Sequence, residues 1–186
     1  MSRPLLIIVT GSPGAGKTTL GNHIAAEFHL PFIYKDGIKE TLFDALGWQD
    51  RAWSRKLGLA SYELLYYFLE VLLQANTSFI VESNFDPQYS TAAFLALKKK
   101  YDFEPLQILC HADGHILWER FKQRAESGER HPGHVETLNY AEFEPYLLHS
   151  QHDFMNIGGT RLEVDTTDFE GVDYQKLFKA IDAAKK

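Results

Sequence analysis

The sequence predicts an α/β fold, a doubly wound sheet of about five parallel strands with helices on both faces. Short apolar runs alternate with segments whose apolar residues recur at helical spacing, and a glycine-rich loop follows the first run. With 186 residues, of which 45% are hydrophobic and 24% charged, the chain has the composition of a globular protein. We therefore expect one domain over residues 1–186, built as a three-layer sandwich.

The first elements flank the glycine-rich loop. A strand is predicted over residues 4–10, because an unbroken apolar run rich in β-branched residues is typical of a strand buried on both faces. A helix follows over residues 17–28. A second short strand over residues 32–35 leads to Asp36, where the next helical pattern begins, and Gly47 ends that helix.

The rest of the chain continues the alternation of strands and helices. The predicted elements are a helix over 51–76, a strand over 78–81, a helix over 87–100, a strand over 106–111, a helix over 113–126, a strand over 162–164 and a helix from about 172. Helical crossovers make the strands parallel, so their carboxyl ends share one edge, beyond which ligands bind. Gly11, Asp36, Glu82 and Asp165 fall at that edge.

Charge and cysteine content disfavour several classes of function. A formal net charge of -6 and a pI near 5.7 argue against a broad nucleic-acid-binding surface, which needs clustered Lys and Arg. The single cysteine, Cys110, allows no intrachain disulfide and fits a reducing cytosol. Because no run of about 18 apolar residues is present, we expect a cytoplasmic protein without a membrane segment.

Eight residues after the first strand match the phosphate-binding pattern G-x-x-x-x-G-K-[ST]. They are Gly11, Ser12, Pro13, Gly14, Ala15, Gly16, Lys17 and Thr18. In such a loop, backbone N–H groups and the start of the following helix bind phosphate oxygens. We expect Lys17 to reach the β- and γ-phosphates of ATP, Thr18 to bind Mg²⁺ and Thr19 to contact the α-phosphate. The pattern therefore predicts a binding site for ATP.

A basic segment at about residues 120–140 is predicted to form a small helical lid over this site. Arg120 and Arg124 are one helical turn apart, and Arg130 follows in a glycine-containing loop. Guanidinium groups stabilise the charge of a transferring phosphoryl group, so these arginines are candidate catalytic residues. The alternative is a solvated salt-bridge surface formed with nearby glutamates.

Polar side chains near the strand ends are candidates for contact with an acceptor or a metal. Asp36 is either the general base that accepts a hydroxyl proton or the cap of its helix, and both roles can hold together. Lys39, one turn on, either binds an anionic substrate or lies on the surface. Glu82 is placed like a carboxylate that holds Mg²⁺, a role that Asp36 could also take. Asn84 either binds substrate or forms a turn.

Together these residues resemble a family, the P-loop kinases of the kind that includes zeta toxins, chloramphenicol phosphotransferase and polynucleotide 5′-kinase domains. The resemblance covers nearly the whole chain. It rests on the phosphate loop, on Asp36-x-x-Lys39 in place of the common Asp-x-x-Arg, on Arg120 with Arg124, and on Thr166 in the segment that borders adenine. It implies that Asp36 is the base, that the paired arginines belong to the lid, and that Arg124 and Thr166 contact the nucleotide.

At position 39 the sequence departs from the family pattern. Lysine cannot make the forked contact that arginine makes with phosphate, which argues against a polynucleotide or other phosphorylated acceptor. We expect an ATP- and Mg²⁺-dependent phosphotransferase that acts on a hydroxyl of a small molecule. The alternatives are a 5′-hydroxyl nucleic-acid kinase and a regulatory nucleotide-binding module without transfer activity. Specificity is expected in the loops and in the aromatic residues Trp48, Trp53, Tyr62 and Tyr66.

Overall fold

Five parallel strands form a single sheet in the computed structural model, which describes residues 3–135, 140–149 and 152–185. The strands are β1 (Leu5–Gly11), β2 (Phe32–Tyr34), β3 (Phe79–Glu82), β4 (Glu104–His111) and β5 (Thr160–Asp165). Their order is β2-β3-β1-β4-β5, and every neighbouring pair is parallel. The central strand is therefore β1, which leads into the glycine loop at the middle of the carboxyl edge.

Seven α-helices lie in the described part of the chain. They are α1 (Lys17–Phe28), α2 (Lys35–Leu46), α3 (Arg51–Gln74), α4 (Pro87–Lys100), α5 (Gly114–Glu126), α6 (Tyr140–Leu148) and α7 (Tyr174–Ala184), and a 3-10 turn spans Pro132–His134. None of these helices is long and apolar enough to cross a membrane. Because helices connect the parallel strands, the predicted doubly wound α/β fold is confirmed.

The alternation of side chains along β1 fills two cores, one on each face of the sheet. Leu5, Ile7 and Val9 pack in a core that α1, α5 and α7 cover, whereas Leu6 and Ile8 pack in a second core under α3 and α4. Each of these five side chains is at most 1% exposed. Burial on both faces is the reason that the strand is an unbroken apolar run. The helices and the sheet thus form the predicted three layers.

One helix, α6, has no counterpart in the sequence-based prediction. Pro145 lies inside it, and proline disrupts the hydrogen bonds of a helix interior, so the local sequence does not indicate a helix there. Tertiary packing outweighs this cost, because Leu147 is buried in the core and α6 packs against α5. Within the predicted lid, residues 136–139 lie outside the described residues. The described part comprises the end of α5, the 3-10 turn and the start of α6.

Candidate active site

The glycine loop joins β1 to α1 in a conformation that two of its glycines make possible. Gly16 precedes α1 with φ at +69°, in the left-handed region, and a Cβ there would lie 2.3 Å from Cε2 of Phe169. Gly11 has φ at +138°, and a Cβ there would lie 2.1 Å from the carbonyl oxygen of Cys110. The loop is therefore packed between β4 and the segment after β5, with no room for a side chain at either position.

The side chain of Lys17 folds back over the loop. Its Nζ donates a hydrogen bond to the carbonyl oxygen of Ser12 at 2.8 Å, and the residue is only 7% exposed. Burial lowers the pKa of Lys17, whereas the nearby carboxylate of Glu82 raises it. The loop thus carries a buried ammonium group for which an anionic ligand would be a natural counter-ion.

Thr18 and Glu82 meet at the carboxyl edge of the sheet. The Thr18 hydroxyl donates to Oε2 of Glu82 at 2.7 Å. Burial raises the pKa of Glu82, while the charge of Lys17 and the Thr18 hydroxyl oppose that shift. Hydroxyl and carboxylate oxygens beside a phosphate loop are the ligands that Mg²⁺ accepts, directly or through water. The donor set therefore fits Mg²⁺, whose other ligands would be phosphate oxygens and water.

Asp36 lies in the first turn of α2, where Arg130 binds it from the loop after α5. Nη2 of Arg130 lies 2.5 Å from Oδ2 of Asp36, and Nη1 lies 2.9 Å from Oε1 of Glu40. Burial opposes the ionisation of Asp36, but Lys35 and Arg130 outweigh it and hold the pKa of Asp36 well below its usual range. The carboxylate is therefore ionised at neutral pH. Tyr34 is the N-cap of α2, so the predicted capping role of Asp36 is wrong.

His134 joins this cluster from the 3-10 turn. Its Nε2 lies 2.9 Å from Oε1 of Glu40, and its Nδ1 lies 3.2 Å from Nη2 of Arg130. Burial lowers the pKa of His134, and the hydrogen bond with Glu40 opposes that shift. Because Arg130 contacts Asp36, Glu40 and His134, a network of charges and hydrogen bonds connects α2 to the segment that follows α5.

The two arginines of α5 face the space above the loop. Nη2 of Arg120 donates to the carbonyl oxygen of Thr167 at 3.2 Å, and its Nη1 is buried without a hydrogen-bond partner among the described residues. Cζ of Arg124 lies 5.9 Å from the ring centre of Phe121. As the one-turn spacing predicts, both guanidinium groups are on the same side of the helix.

Two residues that the sequence assigns to ligand contact are buried and make hydrogen bonds within the chain. Thr166 is fully buried, and its hydroxyl lies 3.1 Å from the carbonyl oxygen of Ala15 and 2.9 Å from that of His111. Its side chain, which directly follows β5, therefore links the glycine loop to the end of β4. Lys39 is 8% exposed and donates to Oγ of Ser54 at 2.9 Å, so the alternative of a surface lysine is wrong.

Two cavities adjoin at the loop. One, of about 380 Å³, lies above it, and its lining includes Gly14, Gly16, Thr19 and Arg120. The other, of about 310 Å³, lies between α2, α3 and the lid, and its lining includes Asp36, Tyr62, Glu82 and Asn84. Four residues line both cavities: Lys17, Thr18, Arg124 and Arg130. An extended anion in the first cavity could therefore direct its end at a group bound in the second.

The second cavity also contains residues that the sequence analysis does not single out. Arg51 and Arg55 line it from the start of α3, and Glu142 lines it from α6. A signal for the arginines is present in the sequence, because their four-residue spacing is the one that identifies Arg120 and Arg124. Glu142 has no such signal, since it lies on the helix that contains a proline.

Of the four aromatic residues expected to shape specificity, Tyr62 alone lines the second cavity. Its hydroxyl lies 2.9 Å from Oγ of Ser83 at the end of β3. Tyr66, on α3, is partly buried against the core, and Nε1 of Trp53 donates to the carbonyl oxygen of Gly47, before that helix. Charged side chains therefore contribute more of this wall than aromatic rings do.

The chain is similar to known proteins in family and in fold. A model of the AAA domain family matches residues 6–144, a range that contains the phosphate loop, α2 and the lid. A candidate kinase from Chloroflexus aurantiacus J-10-fl is 38% identical in sequence, with 98% of this chain and 99% of that chain covered. The TM-score of the two structures is 0.91, so their backbones follow the same path.

Two kinases of distant sequence share the fold alone. A gluconokinase from Sinorhizobium meliloti 1021 is 15% identical, with a TM-score of 0.53 and coverage of 99% of this chain and 95% of that chain. A shikimate kinase from Bacteroides thetaiotaomicron is 17% identical, with a TM-score of 0.50 and coverage of 96% of this chain and 98% of that chain. None of the functionally curated proteins matches the sequence.

Proposed function

Because the chain belongs to the AAA domain family and has a P-loop kinase-like domain, we propose that it transfers the γ-phosphate of ATP to a hydroxyl of a small molecule. One observation carries the proposal. The cavity above the phosphate loop and the cavity that contains Asp36 meet at Lys17, Thr18, Arg124 and Arg130. The meeting point is the place where a γ-phosphate and an acceptor hydroxyl would face each other.

The first cavity is the proposed nucleotide site. The backbone N–H groups of the loop and the start of α1 would bind the phosphates, and Lys17 would exchange its bond with Ser12 for the β- and γ-phosphates. Thr19 would contact the α-phosphate. Arg120 and Arg124 would border the nucleotide from α5, and Thr166 would support the loop through its bond with Ala15.

Thr18 and Glu82 are the proposed holders of Mg²⁺. The Thr18 hydroxyl would turn from the Glu82 carboxylate to the metal, and the carboxylate would then hold a water molecule of the metal shell. Bound Mg²⁺ neutralises charge on the β- and γ-phosphates. Asp36 is engaged by Arg130, which favours Glu82 over Asp36 as the carboxylate nearest the metal.

Asp36 is the proposed acceptor of the hydroxyl proton. Its depressed pKa keeps it ionised, so it can accept a hydrogen bond from the acceptor hydroxyl and orient the oxygen. In the transfer, the acceptor oxygen forms a bond to the γ-phosphorus, the bond from that phosphorus to the β-bridging oxygen breaks, and the proton passes to Asp36. The transition state is loose, so a weak base that takes the proton late is sufficient.

Arginines are the proposed stabilisers of the transferring group. Arg124 and Arg130 line both cavities, and their permanent charges would contact the equatorial oxygens of the phosphoryl group. Arg130 can make this contact without leaving the site, because the Asp36 that it now binds lines the same cavity. The lid would therefore bring charge to the phosphate and exclude water from it.

The size of the second cavity favours a small acceptor. A volume of about 310 Å³ is at the lower end of the range for small-molecule sites. Asn84 is exposed at its wall and supplies an amide that could bind an acceptor hydroxyl. A small molecule is therefore favoured over an oligonucleotide strand.

The test is ADP formation from ATP and Mg²⁺ with a panel of hydroxylated metabolites. We expect ADP release that depends on an acceptor and is lost in Lys17→Met. The matched control is Lys99→Met on the exposed end of α4, which should retain activity. The proposal is contradicted if ATP binds but ADP release is independent of every acceptor, or if Lys17→Met is as active as the unchanged protein.

A further inference from the structure

An arginine pair on α3 lies in the second cavity, the proposed acceptor site and hereafter the acceptor cavity, and has no role in the transfer described above. Arg51 and Arg55 are one helical turn apart and line the same cavity as Asp36. The carboxylate of Glu142, on α6, binds Nη2 of Arg51 and lies 3.9 Å from Nη2 of Arg55. The pair thus already holds a carboxylate that belongs to the chain itself.

Positive charge exceeds negative charge at this end of the cavity. Lys39 lines the cavity beside Arg51 and Arg55, and its Nζ bonds to Ser54 on α3. Glu142 is the carboxylate that contacts the arginine pair in the described residues, and its side chain is 57% exposed. An exposed ion pair is weak and is easily exchanged for another anion.

We propose that Arg51 and Arg55 bind an anionic group of the acceptor, a carboxylate or a phosphate, while the acceptor hydroxyl lies at Asp36. Glu142 occupies the arginine pair until the acceptor displaces it. This inference rests on the proposed kinase function and extends it by naming the substrate class. The acceptor is a small hydroxylated molecule that carries a negative charge.

The chemistry of guanidinium groups supports this assignment. Their planar fork matches the two oxygens of a carboxylate or a phosphate, and lysine lacks that geometry. Lys39 cannot form a forked contact with an anion, but this argues against an anionic acceptor only if the cavity contains no arginine that can form one. Arg51 and Arg55 of α3 line the same cavity, so α3 supplies the forked guanidinium groups that Lys39 of α2 does not.

Binding of simple anions tests the subsite directly. The nucleotide cavity is first filled with Mg²⁺ and a non-hydrolysable ATP analogue, so that added anions cannot occupy the phosphate loop. Inorganic phosphate and acetate are then titrated separately, and binding is followed by chemical-shift changes of the backbone amides of α3. Tighter binding of phosphate indicates that the acceptor carries a phosphate, and tighter binding of acetate indicates that it carries a carboxylate.

Two sets of variants are expected to change the affinity for the anions in opposite directions. The double variant Arg51→Met, Arg55→Met lacks both guanidinium groups, so its affinity for the anions should fall at least about tenfold, as it does when a charged partner is lost. Glu142→Gln removes the competing carboxylate and should tighten binding by about threefold, the scale of an exposed ion pair. The control Arg3→Met changes an arginine that pairs with Asp102 and Glu104 and should have no effect.

The inference is overturned if neither anion binds, or if the Arg51, Arg55 and Glu142 variants bind the anions as the unchanged protein does. Failure of the kinase function has a different signature. In that case the anions still bind and respond to the variants, but no acceptor of the panel receives phosphate. Conversely, phosphate transfer to neutral acceptors that is insensitive to the Arg51 and Arg55 changes supports the kinase and overturns the subsite.

Discussion

Arg130, in the loop after α5, binds Asp36 of α2, with Nη2 lying 2.5 Å from Oδ2. The contact joins the loop beyond α5 to the first turn of α2, which directly follows the edge strand β2, and the same guanidinium group also binds Glu40. The position of the lid and the orientation of the candidate base are therefore coupled. A ligand that draws Arg130 towards phosphate would at the same time release the Asp36 carboxylate for an acceptor hydroxyl.

Asp36→Asn is expected to lower kcat about 10²-fold or more, because the amide cannot accept the hydroxyl proton. ATP affinity should stay unchanged, since the phosphate loop does not involve Asp36. Both are measured by steady-state ADP release and by calorimetry with the ATP analogue. Glu27→Gln, which removes an exposed carboxylate on α1, is the control and should retain full activity. Equal kcat in Asp36→Asn and the unchanged protein would remove Asp36 from its proposed role.

Thr18→Val is expected to raise the Mg²⁺ concentration needed for half-maximal activity on the order of tenfold or more, because it removes a metal ligand. Thr18→Ser keeps the hydroxyl and should behave almost as the unchanged protein does. A magnesium titration of ADP release at saturating ATP measures the difference. Identical titration curves for the valine and serine variants would contradict the assignment of Thr18.

Glu82→Gln is expected to increase the free energy of unfolding at neutral pH in the absence of nucleotide. Burial raises the pKa of Glu82 above its unfolded value, so the folded chain binds the proton more tightly and stability falls as pH rises through that pKa. The glutamine removes this loss. The stability gain should therefore shrink as the pH is lowered from about 8 to about 4, near the ordinary carboxyl pKa.

Urea unfolding at several pH values tests this prediction. Glu63→Gln, an exposed change on α3, is the control and should alter stability little at any pH. A Glu82→Gln variant that is less stable than the unchanged protein at neutral pH, or whose advantage grows in acid, would contradict the sign of the effect. The same variant should lose activity, because the Glu82 carboxylate is proposed to hold Mg²⁺ although its burial destabilises the fold.

Gly16→Ala is expected to destabilise the fold by more than the about 1–3 kcal/mol that a left-handed non-glycine residue costs. Its Cβ would also lie 2.3 Å from the Phe169 ring. Gly128→Ala is a matched control, because Gly128 has a similar φ of +74° and no atom within 4 Å of its Cβ position. Urea unfolding gives the loss of stability in each variant: Gly128→Ala reports the backbone strain alone, and the additional loss in Gly16→Ala reports the clash with Phe169. Equal destabilisation would show that Phe169 does not pack on the loop.

Much of the fold is predictable because local and tertiary signals agree. The prediction of α1 over residues 17–28 is confirmed, and in the structure the left-handed Gly16 and His29 lie at its two ends. The unbroken apolar run of β1 predicts a strand that is buried on both faces, and β1 is buried throughout and lies at the centre of the sheet. In contrast, α6 contains Pro145 and is stabilised by contacts with α5 and the core, which no local pattern reports.

The candidate site is predictable in its phosphate loop and less so in its acceptor cavity. The loop is one continuous segment with a fixed order of residue types, so sequence alone identifies it. The acceptor cavity combines Asp36, Arg51, Arg130 and Glu142 from four separate segments. Their approach depends on how α2, α3, the lid and α6 pack, and that packing is not encoded in any one stretch of sequence.

The central claim is that the two adjoining cavities allow the γ-phosphate of ATP to reach a small hydroxylated acceptor. The most direct test is ³¹P NMR of a mixture of the protein, Mg²⁺, ATP and neutral, carboxylated and phosphorylated alcohols. We predict a new phosphomonoester resonance that grows in equal amount with ADP. Growth of inorganic phosphate alone, with water as the acceptor in every mixture, would contradict the claim.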